Sequence, residues 1–152
     1  MSLEQWRQNN WLMASKPTLT EITQLFEIVD RELGDSEVTG LSPEGRFTHA
    51  YTAALMLCTI ALRTSGYKVG KGEGHHKRTI DALPFSIGDE YRSLADQIEL
   101  SSRLRGQSIY DRAHVTEKKD ADELHATATQ LRTVVLEWMR ATHADLVPPG
   151  AK

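Results

Sequence analysis

Two short segments hold most of the residues able to grip a phosphate. The first is Arg103-Leu104-Arg105-Gly106-Gln107-Ser108-Ile109-Tyr110, with Arg112 and His114 just beyond it. Arginine presents rigid, forked donors that match phosphate oxygens, and Tyr110 adds a stacking face and a hydroxyl. A plainer reading of the same residues is open: Arg103 and Arg105 pair with carboxylates of a neighbouring helix while Tyr110 packs at the edge of a core. The second segment is a loop punctuated by Gly66, Gly70, Gly72 and Gly74, carrying Lys71 and followed by His75-His76. Glycine-rich backbone can turn its N–H groups toward an anion.

Charge sharpens the contrast between these segments and the rest. The chain of 152 residues has a net charge of −3. That argues against indiscriminate nucleic-acid binding but not against a local basic patch. From Arg63 to Arg78, Arg63, Lys68, Lys71, Lys77 and Arg78 face only Glu73. From Ser101 to Lys119, Arg103, Arg105, Arg112, Lys118 and Lys119 outnumber Asp111 and Glu117. Between Thr18 and Glu37 the sign reverses, with six acidic residues against Arg31. If the two basic segments converge, they form a phosphate-attracting surface on an acidic molecule. If they do not, they are separate solvated faces.

Other chemistries find less support. Adjacent histidines such as His75 and His76 point roughly 100° apart on a helix and do not chelate one ion unaided. His49 and His114 would join them only through tertiary arrangement, so no metal site is expected. No HExxH, Walker A or GxGxxG pattern occurs, and no cofactor is indicated. Ser101, Ser102 and Ser108 have no recognisable base beside them. Cys58 is the sole cysteine, which rules out an intrachain disulfide and a cysteine-based zinc site. It lies in the apolar run Ala53-Ala54-Leu55-Met56-Leu57, which predicts a buried, inert thiol. That run is far short of the ~20 residues that span a bilayer. No apolar stretch marks a signal peptide among the first residues, and the expected compartment is the cytoplasm.

Helices must position these groups. Thr18-Leu19-Thr20-Glu21 has capping-box spacing and leads into Ile22, Leu25, Phe26, Val29 and Leu33, ending at Gly34. Ser42-Pro43 starts a second helix whose Phe47, Ala50, Tyr51, Ala54, Leu55, Cys58 and Leu62 make it apolar around much of its circumference. A short helical piece reaches Leu83 and is expected to end at Pro84. A third long helix begins near Ile87 or Asp89 and is expected to break at Gly106. Asp120-Ala121-Asp122-Glu123 opens the last, with Leu124, Ala128, Leu131, Val135 and Trp138 on one face. No strand-like alternation stands out. The expectation is an all-α, four-to-five-helix up-down bundle over 18–142, with an N-terminal arm (1–17) and a disordered tail (143–152).

The order of these features resembles the HEPN family of bacterial helical domains. The resemblance rests on Arg46-Phe47, then Ala50-Tyr51-Thr52-Ala53-Ala54, the Gly66-Tyr67 stop, the basic glycine loop with His75-His76, and Arg103 and Arg105 with Tyr110. A closing amphipathic helix completes it, over about residues 18 to 142. It implies a helical bundle that forms homodimers and, in many members, a metal-independent ribonuclease, sometimes a toxin beside a nucleotidyltransferase-like partner. On the family's catalytic signature Arg105 matches the arginine, Gly106 occupies the polar position and Tyr110 replaces the histidine. A tyrosine, with an ordinary pKa near 10, is a poor base for a ribose 2′-hydroxyl at neutral pH. The implied reading is a non-catalytic module binding RNA, a nucleotide or a protein partner. Its basic groove would comprise Arg103, Arg105, Tyr110, Arg112, Lys71, His75 and His76. The alternative is a divergent ribonuclease of toxin–antitoxin type in which His114 or His75 supplies the base.

Overall fold

The computed structural model describes residues 1–70, 72, 74–110 and 116–152; for 106–110 the backbone alone is described. The architecture is all-α, with α1 (Leu3–Gln8), α2 (Leu19–Asp35), α3 (Pro43–Thr64), α4 (His75–Asp81), α5 (Leu83–Ile87), α6 (Arg92–Tyr110) and α7 (Lys118–Thr142). Two residue pairs, Met13–Ala14 (β1) and Tyr67–Lys68 (β2), form a minimal antiparallel ribbon.

Local chemistry sets most of these boundaries. The Thr18 hydroxyl accepts the Glu21 N–H, and the Ser42 hydroxyl accepts the Gly45 N–H with Pro43 in the first turn. Ile22, Phe26 and Val29 carry the buried stripe of α2 onto α3. Helix α3 is buried along nearly its whole length, from Phe47 to Thr64, and is packed against α2 and α7. Cys58 lies fully inside it, where burial pushes the thiol up to about 12. Leu124, Ala128, Leu131 and Val135 are buried as their spacing predicts, whereas Trp138 is only half-buried. Leu136 and Met139 share the buried face there.

Several features depart from the sequence expectations. Pro84 does not end a helix: the chain breaks at Ala82, and Pro84 sits in the first turn of α5, where its missing N–H costs nothing. Gly106 does not interrupt α6, which runs to Tyr110. Helix α7 starts two residues before the anticipated signal, with the Asp120 carboxylate accepting the Glu117 N–H. The segment 143–152, expected to be disordered, folds back. Leu146 is buried, and Arg132 and Arg140 of α7 donate to the carbonyls of Lys152 (2.6 Å) and Ala151 (2.8 Å). Two arginines on the same helix thus anchor a segment whose composition suggests fraying.

The N-terminal arm is part of the packed structure. Leu3, Trp6 and Leu12 bury against Leu62 and Ala82, and the Trp6 ring lies 5.2 Å from that of Phe85. Arg63, itself buried on α3, holds the arm in place. Its guanidinium donates to the Ser15 carbonyl (3.0 Å), the Tyr67 carbonyl (3.1 Å) and both carboxylate oxygens of Glu21. The hydrogen bond from Arg63 keeps the Glu21 carboxyl below its ordinary value of 4.5. A carboxyl with a depressed folded-state pKa contributes stability that is present above the unfolded value and lost as pH falls through the folded one. Glu21→Gln is therefore expected to destabilise the protein in urea unfolding at pH 7. The difference from wild type should shrink as pH falls below about 4.5; a pH-independent difference would contradict this account.

Candidate functional site

The site is built where α4 and α6 pack against each other beside α3. Arg105, sixth from the C-terminal end of α6, lays its guanidinium carbon 5.4 Å from the ring centroid of Tyr51 on α3. Tyr51 is buried on α3, and its hydroxyl donates to the Ser102 hydroxyl at 3.1 Å, one turn before Arg105. The Tyr51 ring thus forms a floor under a half-buried cation. Four buried side-chain polar atoms lack a hydrogen-bond partner among the described residues, and the Nε of Arg105 is the only charged group among them. An unmade hydrogen bond on a buried charged donor is costly, and such groups call for an explanation.

Helix α4 supplies the opposite wall. Gly74 precedes it at φ +78, a left-handed conformation suited to glycine, and turns the chain into His75 and His76. The His75 ring lies 2.7 Å from the Gly72 carbonyl and 4.1 Å, centroid to centroid, from the ring of His76. His76 is held below its ordinary value of 6.5 by desolvation first, then by its neighbours His75 and Arg105. The two basic segments therefore meet in part, with Arg105 electrostatically coupled to His76.

The other expected residues divide. Arg103 is largely exposed and pairs with Glu99 at 2.8 Å, one helical turn away. It is paired, as in the plainer reading, but with a carboxylate of its own helix rather than of a neighbouring one. Lys77 is likewise neutralised by Asp81 at 2.7 Å. Lys71, Arg112 and His114, and the side chain of Tyr110, lie outside the described residues. Two residues that the sequence does not bring together meet here. Arg78 packs over the Trp11 ring (5.9 Å) and donates to its carbonyl. Trp11 is 37% exposed and borders a 330 Å³ cleft with Trp6, Gly74, Lys77, Arg78 and Asp81. Their signal would have been the fold-back of the arm, which no local pattern announces. The larger groove, 510 Å³ between α6 and α7, has an apolar floor at Phe47, Leu104 and Leu124 and an acidic rim at Asp120 and Glu123. Its charge is wrong for an anion.

No family model, curated protein or solved structure matches this chain. Among the described residues, no helix is long and apolar enough to cross a membrane.

The proximity of Arg105 and His76 has a direct consequence. In Arg105→Ala the His76 pKa should rise toward its ordinary value without reaching it, since desolvation and His75 remain. Imidazole NMR titration reads this; an unchanged His76 would show that Arg105 does not face it.

Proposed function

We propose that this chain is a HEPN-like binding module that takes a phosphate-bearing ligand, RNA or a nucleotide, at the α3–α4–α6 junction around Arg105. The observation that carries this reading is the buried Arg105 Nε, stacked on Tyr51 with no acceptor among the described residues, beside His76. An anionic oxygen would complete the guanidinium's hydrogen bonding, and charge-assisted contacts of this kind are the strong ones. The reading is one of binding without cleavage, because Tyr110 stands at the position where the family's signature has its histidine. Homodimerisation and a nucleotidyltransferase-like partner belong to the reading through the resemblance alone. Trp6 and Leu12 of the N-terminal arm are covered by their own chain.

Affinity for short single-stranded RNA and for nucleotides should be measured at about 50 and 200 mM salt, where phosphate contacts make binding weaken as salt rises. Binding is expected for wild type at low salt, strongly reduced in Arg105→Ala, with the RNA left intact in metal-free buffer. No binding at low salt, or binding indifferent to Arg105, would favour a protein partner instead. Arg105-dependent cleavage would favour the ribonuclease.

A further inference from the structure

Far from Arg105 in sequence, the C-terminal turn of α2 meets α3 through a different set of groups. Glu32 and Asp35 stand three residues apart on α2, a spacing that places both on one helical face. His49 reaches them from α3. One donor atom from each of the three residues lies within 4.8 Å of the others. Glu32 is only 9% exposed, a buried carboxylate at a helix–helix contact. Its Oε2 accepts from the His49 Nδ1–H at 2.6 Å, and its Oε1 accepts from Arg31 at 3.0 Å. Burial raises the Glu32 carboxyl, but the hydrogen bonds from His49 and Arg31 outweigh it and hold the group below its ordinary value. The Asp35 carboxylate has no hydrogen-bond or ion-pair partner among the described residues.

The position of the two carboxylates on α2 adds to this. The last turn of α2 contains no basic residue. A helix C-terminus carries the negative end of the macrodipole, so cations are favoured there and carboxylates are not. Here two carboxylates occupy that end, and Glu37 follows. Arg46, one turn before His49, donates to the Ser36 carbonyl at the end of α2 (2.8 Å) and pairs with Asp122 (2.7 Å), and the His125 Nε2 lies 3.0 Å from Glu37; neither meets the Asp35 carboxylate.

We propose that Glu32, Asp35 and His49 bind a divalent first-row transition ion such as zinc, joining the end of α2 to α3. One imidazole and two carboxylates form a mixed nitrogen–oxygen set that suits zinc and its neighbours better than calcium or magnesium. Around a tetrahedral zinc such ligand atoms sit about 3.4 Å apart. Asp35 and His49, both only partly buried, draw in by side-chain rotation, while the His49–Glu32 contact opens slightly. The ion takes the place of the proton shared between His49 and Glu32. The Nδ1 lone pair then goes to the metal: a neutral ring keeps its proton by passing it to Nε2, and a protonated ring gives up one proton to solvent. Arg31 on the second Glu32 oxygen orients that carboxylate from behind, the usual task of an outer-shell partner. Three protein ligands leave a fourth position for water. His49, 34% exposed, marks the entry path.

The test uses the full chain freed of metal by chelator and dialysis, titrated with zinc chloride by calorimetry near pH 7 and again at lower pH. Cobalt(II) absorption serves as a spectroscopic check. The expected result is one saturable equivalent, a raised unfolding temperature and binding that weakens as pH falls. Asp35→Asn and His49→Gln should each weaken binding at least about tenfold. The Asp35 side chain makes no hydrogen bond or ion pair among the described residues, so its variant keeps the test decisive if His49→Gln unfolds. The double variant His75→Ala, His76→Ala should bind as wild type does. Absence of saturable binding, binding indifferent to Asp35→Asn, or loss of binding in the double variant would overturn the proposal.

Discussion

The burial of α3 on nearly all sides is the constraint on which the rest of the structure depends. A helix enclosed by its neighbours has few directions in which a polar side chain reaches water. Its longer polar side chains find partners on whatever element packs there, while Thr52 and Thr59 donate to carbonyls of α3 itself. Arg46 goes to the Ser36 carbonyl and Asp122, His49 to Glu32, Tyr51 to Ser102, and Arg63 to Glu21, Ser15 and Tyr67. These four residues tie α3 to α2, α6, α7, the arm and the ribbon. Apolar burial holds the bundle together, while the polar residues of α3 fix how its neighbours are placed around it.

The same constraint explains why chemistry collects at two places along α3. Near its middle, Tyr51 is buried but ends in a hydroxyl, so Ser102 must lie opposite and the ring face is left as a platform for Arg105. Closer to its start, His49 meets the acidic end of α2. Each place pairs a residue satisfied within the fold with one that is not: the Arg105 Nε in one case, the Asp35 carboxylate in the other. Arg103 and Lys77 show the contrast, since each has an acidic partner one turn away on its own helix. Local neutralisation of this kind takes a charge out of contention for a ligand.

The fold was legible in the sequence where the signal is local. Thr18 and Ser42 mark helix starts through hydrogen bonds three residues long, and the stripes of α2 and α7 follow a single helical period. The misread positions are those decided at longer range. Pro84 is compatible with either end of a helix, and the break at Ala82 accompanies its burial against the arm. The segment 143–152 looks like a frayed end until Arg132 and Arg140, several turns back, meet its carbonyls. Of the candidate site, Arg105 and His76 were legible as residue types but not as neighbours. Glu32 with His49, and Trp11 with Arg78, were not legible at all, because each pair joins elements that no spacing in the sequence connects.

The central claim is that the buried, partnerless Nε–H of Arg105 marks a site for an anionic oxygen. The most direct measurement follows the ¹⁵Nε–¹Hε resonance of Arg105 by NMR while a short single-stranded RNA is titrated in. The account predicts a large, saturable shift of this resonance and of the His76 ring, with the other arginine side chains paired in the fold, such as Arg63 and Arg132, nearly unmoved. An Arg105 resonance unchanged at saturating RNA, or shifts spread evenly over all arginines, would contradict it.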